Sequence, residues 1–221
     1  MLRANHQRAR QVATAYQCIM LAALSIGLLD GLLLVVLTRE PVPELLANML
    51  LAKQLLVLMK LGLTAVGFVL LLRWLRRAYY NLHQVAGSYP GYPDNWAIWA
   101  WFIPIVNIIR PLTIMREVWY GTQRAAHQAV VPATLLGWWW ATYLGDSLLA
   151  VVIVGVSAKY ASSTATLAGE LISQVSSLLP AFLIWYAVRR ITKFEQALAC
   201  QAGPGAPGKT PPSKFDGSST W

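Results

Sequence analysis

The chain is short of charge. Only 12% of its 221 residues are Asp, Glu, Lys or Arg, while 57% are hydrophobic. A soluble domain carries roughly twice that charge, so an ordinary soluble fold is excluded. Cysteine is scarce too. Cys18 opens the first apolar run and Cys200 lies near the C-terminus, a placement that argues against a disulfide and for small packing residues. The three histidines, His6, His83 and His127, have no close ligand spacing, so no metal or haem site is indicated. There is no GxSxG, HExxH or Walker loop, and no carboxylate pair at a useful spacing. The expectation is a protein that is not an enzyme, with no metal and no cofactor that the sequence names. The formal charge of +9 comes without a basic, aromatic-interleaved module, so nucleic acid is not an expected partner.

What the chain does have is long apolar runs. A bilayer crossing needs roughly 20 such residues. After a basic N-terminus (1–15), a first span is expected over about 16–37, too long for a signal-peptide core. Pro41 and Pro43 follow it and cannot continue it. A second span is expected over about 50–75, continuing past the membrane surface through RWLRRAYYNLHQVAG. A third is expected over about 137–156, led by Trp138–Trp140. A polar loop at about 157–166 then precedes a fourth span over 167–188, kinked near Pro180. Residues 196–221 form a Pro/Gly-rich tail with a disordered composition.

Between spans two and three stands the most unusual stretch, Trp96 to Trp119, WAIWAWFIPIVNIIRPLTIMREVW. Pro104 and Pro111 each remove a helical donor, and Pro111 biases Arg110 towards an extended conformation. Freed backbone groups in a membrane cost several kcal/mol unless satisfied, and Asn107 is placed to satisfy them. The expectation is a proline-broken re-entrant or interfacial segment at 96–120. A short interfacial helix follows Pro111, with Trp119 and Tyr120 near the headgroups. The ten tryptophans leave two readings open, an interfacial aromatic belt and a pocket for lipid or pigment.

Charge placement sets the topology. With both termini and the Arg73–Pro132 region on the cytoplasmic side, fourteen of the eighteen Lys and Arg residues lie there, as the positive-inside rule requires. An even number of crossings follows. The fold class is an all-α integral membrane protein with four transmembrane helices plus the broken segment. Charges within spans mark sites by default, and here they are Asp30, Lys60 and Asp146. Asp30 and Lys60 are placed to pair across an antiparallel hairpin, either as an ion site or as a structural pair. Asp146 has no sequence neighbour to pair with, and Arg110 or Arg77 is an expected partner.

From Trp74 to Trp119 the chain resembles a bacterial membrane family known as the domain of unknown function 4328 family. The likeness starts at Trp74, Leu75, Arg77, Ala78, Tyr79, Asn81 and Leu82. It resumes at Trp96 and Ala97, and is densest from Trp101 to Pro104. Asn107, Arg110, Pro111, Met115, Glu117 and Trp119 complete it. The resemblance covers most of residues 16–195 and implies a multi-span membrane protein with no assigned activity; together with the charge count, the expectation is a bacterial inner membrane with both termini cytoplasmic. It singles out Arg77, Tyr79, Asn81, Asn107, Arg110 and Glu117, here expected as a polar network pinning the broken segment to the end of span two. The functional expectation is a non-enzymatic accessory or scaffold subunit. Its partners would be lipids and other membrane subunits or further copies of itself. The alternative is a small oligomeric transporter or channel using Asp30, Lys60 and Asp146.

Overall fold

The computed structural model describes residues 4–39, 43–85, 88–160 and 163–201, all helical or irregular, with no strand among them. Six helices follow in order: α1 (His6–Leu37), α2 (Pro43–His83), α3 (Trp96–Trp99), α4 (Val106–Ala125), α5 (Thr134–Tyr160) and α6 (Ser163–Gln201). Four of them, α1, α2, α5 and α6, are long and apolar enough to cross a membrane. Each runs well past its expected span. At 1.5 Å per residue, the 41 residues of α2 extend about 60 Å, roughly twice the hydrocarbon thickness.

The helix boundaries differ from the sequence reading for local reasons. Pro43 does not sit in a connection; it opens α2, where its missing N–H is no loss, and Glu44 beside it favours a helix N-terminus. The N-terminal segment is helical from His6, and α6 carries the helix through 196–201, where a disordered tail was expected. The rest of that tail (202–221) lies outside the described residues, as do Pro41 and Gly87. The expected polar loop at 157–166 is almost wholly helical, since α5 ends at Tyr160 and α6 begins at Ser163.

The long helices stand in the order α2, α1, α6, α5, with α1 touching α2 and α6, and α6 touching α1 and α5. Along α1 the buried positions Val12, Ala15, Ile19, Ala22, Ile26, Asp30 and Leu33 recur every three or four residues and form one stripe. Gly67 of α2 admits Ile19 of α1; a Cβ there would lie 3.0 Å from Ile19 Cδ1. The outer helices are sparsely covered. The most apolar 18 residues of α5 include no buried residue, and Leu51, Leu55 and Leu58 of α2 are exposed.

The well-packed core lies at one end of this row. It joins Ala9 and Val12 of α1, the stretch Leu71–Leu82 of α2, Ile114–Trp119 of α4, Leu136–Trp140 of α5 and Ile184–Phe194 of α6. Trp74, Tyr79, Met115 and Trp119 are essentially inaccessible. Five of the ten tryptophans, Trp74, Trp101, Trp119, Trp139 and Trp140, pack into this core, while Trp99 and Trp138 are exposed. Trp119 is buried, and its indole N–H donates to the Val131 carbonyl at 2.8 Å. Trp101, Trp139 and Trp140 pack together edge-on or tilted.

The broken stretch has a single break, at Trp101–Ile105. Val106 N–H donates to the Pro104 carbonyl at 2.7 Å around Ile105, whose φ is 67°. This is the positive-φ γ-turn, the strained form. For a β-branched residue it costs on the order of 1–3 kcal/mol. Pro111 does not break the chain. It sits in the second turn of α4, where it removes only the bond to the Asn107 carbonyl. The next carbonyl is satisfied from outside, Trp140 Nε1 donating to Ile108 O at 2.8 Å. α4 ends in a reverse turn with His127 at φ 49°. His127 N–H bonds to Arg124 O, and Gln128 N–H to Gln123 O, which is the double closure of a Schellman motif. Gly121 lets α4 press onto α2; a Cβ there would meet Leu82 Cδ1 at 2.6 Å.

Candidate functional site

Two groups of polar side chains stand out, one at the packed end and one inside the row of long helices. At the packed end, Tyr79 and Glu117 of the signature positions meet directly, while Arg110 and Asn81 make their described contacts elsewhere. Tyr79 of α2 donates to Glu117 Oε2 of α4 at 2.6 Å. The same carboxylate oxygen accepts from Gly91 N–H at 3.2 Å, and Tyr79 Oη accepts from Tyr92 N–H at 3.2 Å. Burial, followed by the Glu117 carboxylate, holds the Tyr79 phenol well above its usual range, so it stays a donor. His83 bridges the carbonyls of Tyr79 and Tyr92, each at 2.9 Å. This knot fastens the 88–95 connection to α2 and α4.

Arg110 and Glu117, expected to share a network, are engaged separately. The Arg110 guanidinium lies over the Tyr92 ring at 4.0 Å and the Trp96 ring at 5.4 Å, a cation–π arrangement. Asn107 does not play the bonding role expected of it: its Oδ1 is buried with no hydrogen-bond partner. Arg77 is half-buried on α2, one turn before Asn81. Asn81 donates to Glu195 Oε1 of α6 at 3.4 Å.

Glu195 was not singled out by its sequence. Asn5, at the start of α1, donates to both of its carboxylate oxygens, at 3.1 and 3.3 Å. Burial pushes the Glu195 carboxyl up to about 7 against the lowering pull of the two amides. One acid thus gathers α1, α2 and α6. It lines a cleft of about 280 Å³ with Asn5, Asn81, Thr122 and Thr192.

Inside the row, Asp30 is fully buried and pairs with Lys53 Nζ at 2.7 Å, not with Lys60. Lys53 also bridges to Glu170 of α6. Lys60, one heptad on, donates to Gln174 and Ser177 of α6. Asp146 accepts from Ser176 of α6 rather than meeting Arg110 or Arg77. Glu170, Gln174 and Ser177 recur at i, i+4 and i+7, so one face of α6 carries the partners of both lysines. The pairing with Lys53 follows from how the helices dock; nothing in the local sequence distinguishes Lys53 from Lys60. Among the described residues no group of three or more His, Cys, Asp and Glu is placed to hold a metal ion.

Four apolar helices, a packed polar end and an internal ladder of paired charges define a small polytopic helical membrane protein. The chain belongs to the Domain of unknown function (DUF4328) family, whose model matches residues 43–196. The match takes in α2 to α5 and most of α6, and leaves α1 outside. No curated protein and no solved structure matches the chain.

Proposed function

We propose that this protein is a non-enzymatic membrane subunit, an accessory or scaffold component that assembles laterally with further membrane helices, from another protein or a second copy. The observation that carries the reading is the incomplete cover of the outer helices. α2 and α5 stand at the two ends of a row, and the central apolar part of α5 has no buried residue. The charged groups within the row support the same reading, since Asp30, Lys53 and Glu170 are mutually paired. The signature residues Trp74, Tyr79 and Trp119 are packed into the core, which suits a role in building a platform. Purification in mild detergent tests this. The chain is expected to run as an oligomer or with a co-purifying membrane protein; a strictly single chain with no companion overturns it.

We further propose a bacterial inner-membrane location with both termini cytoplasmic, and a 96–120 segment that does not cross. The core joins the start of α1, the end of α2, α4, the start of α5 and the end of α6 at one end. Arg8, Arg73, Arg110, Arg116, Arg124, Arg189 and Arg190 belong to these same parts of the chain, which favours the cytoplasmic side for that end. α4, with three arginines and a glutamate in 20 residues, is costly to bury in hydrocarbon. Single cysteines at Ser88 and Gln128 are expected to react with a membrane-impermeant thiol reagent only after the membrane is opened. Labelling of one from outside and the other only from inside would show that the segment crosses.

A further inference from the structure

The cleft around Glu195 carries an inference beyond assembly. It is bounded by the start of α1, the projecting end of α2, α4 and the last turns of α6. These parts are rich in arginine, yet among the described residues no Lys or Arg lines the cleft, where His6 is the ionisable base, and the hydrogen bonds described to Glu195 come from the neutral amides of Asn5 and Asn81. Asn5 is 95% buried by its 5% exposure. Its Nδ2 is committed to Glu195, with Trp74 O at 3.5 Å, which fixes the amide orientation. Its Oδ1 is buried with no partner. A buried acceptor left unmade costs about 1–3 kcal/mol, and a buried carboxylate calls for a charged donor. The hydroxyls of Thr122 and Thr192 also line the cleft; Thr192 donates to Val188 O at 2.7 Å, so its oxygen remains an acceptor towards the cleft.

We propose that this cleft binds a primary ammonium group, with Glu195 as its counter-ion and Asn5 Oδ1 and the threonine hydroxyls as acceptors. An ammonium offers three N–H donors and no acceptor, the complement of what the cleft presents. The volume suits a group of a few heavy atoms. The ammonium has two sources with the same chemistry, an ethanolamine lipid headgroup at the membrane surface and a free small amine.

The test uses the full chain in detergent and in nanodiscs, near pH 8. Ethanolamine is expected to raise the melting temperature in a saturable way in detergent. Tetramethylammonium at equal ionic strength, which has no N–H, is expected to leave it unchanged. A shift with free ethanolamine assigns the site to a soluble amine. A shift only on replacing phosphatidylcholine with phosphatidylethanolamine assigns it to the headgroup. Glu195→Gln keeps one acceptor oxygen for the Asn5 and Asn81 amides but not the charge, and should abolish either shift. Ala199→Trp, at the exposed rim, should block the cleft without touching the acid, and serves if the first variant does not fold. No shift from either source, or a shift equal to wild type in a folded variant, overturns the proposal.

Discussion

Lys53→Met is expected to destabilise the protein by about 3–5 kcal/mol, the usual cost of removing one partner of a buried ion pair. Asp30 has no accessible surface, and Lys53 is its only charged contact among the described ion pairs. Removing the ammonium strands one carboxylate among apolar neighbours and leaves Glu170 without its bridge. Lys60→Met provides the contrast. Its hydrogen-bond partners Gln174 and Ser177 are neutral and Asp146 acts on it only through space, while Asp146 keeps its hydrogen bond from Ser176, so the expected cost is about 1–2 kcal/mol. The double variant Asp30→Asn with Lys53→Met should recover most of the stability, because a neutral replacement of the whole pair is often harmless. Denaturant unfolding of the purified chain in detergent measures all three. A Lys53→Met protein as stable as wild type would show that the pair contributes nothing.

The second large effect is a pH dependence set by Glu195. Its carboxyl titrates at about 7 in the folded protein against an ordinary 4.5. Between those values the folded state holds a proton that the unfolded state has released. Stability from this group is therefore complete below about pH 4.5, declines as pH rises and is lost above about 7. The full span is worth up to about 3 kcal/mol. Other acids titrate in the same range, so the informative quantity is the difference between wild type and Glu195→Gln. That difference should fall steadily from pH 4.5 to 7 and then level off. A flat difference would mean that Glu195 titrates alike in both states.

The four spans were legible because apolar runs of twenty residues have few alternative explanations. Asp30, Lys60 and Asp146 were legible as individual charges, whereas Lys53 and Glu170, which carry the ion pairs, were not. Lys53 and Lys60 lie on one face, and only the axial placement of α1 against α2 decides which of them reaches Asp30. The site at Glu195 left no local trace, since it is made from Asn5, Asn81 and an acid in a basic stretch, residues up to 190 apart in sequence. Pro111 misled because a proline signals a break on average, whereas here it falls near a helix start and Trp140 caps the adjacent carbonyl. The break that does occur contains Pro104, as expected, but the positive φ of Ile105 that shapes it is one its side chain disfavours, and composition carries no sign of that.

The confinement of the core to one end has a consequence for how the molecule meets bilayers of different thickness. Hydrophobic mismatch is usually relieved by tilting whole helices or deforming the lipid. Here the packed end clamps α1, α2, α5 and α6 together, while beyond it α2 is held at Lys53 and Lys60 by residues of α1 and α6 and the central apolar part of α5 has no buried residue. A change in thickness is expected to be taken up by the far half of α5 rather than that of α2, whose movement would break the Lys53 pair, like one finger moving from a fixed palm. The clamped end keeps its geometry, and with it the Glu195 cleft and the Tyr79–Glu117 knot.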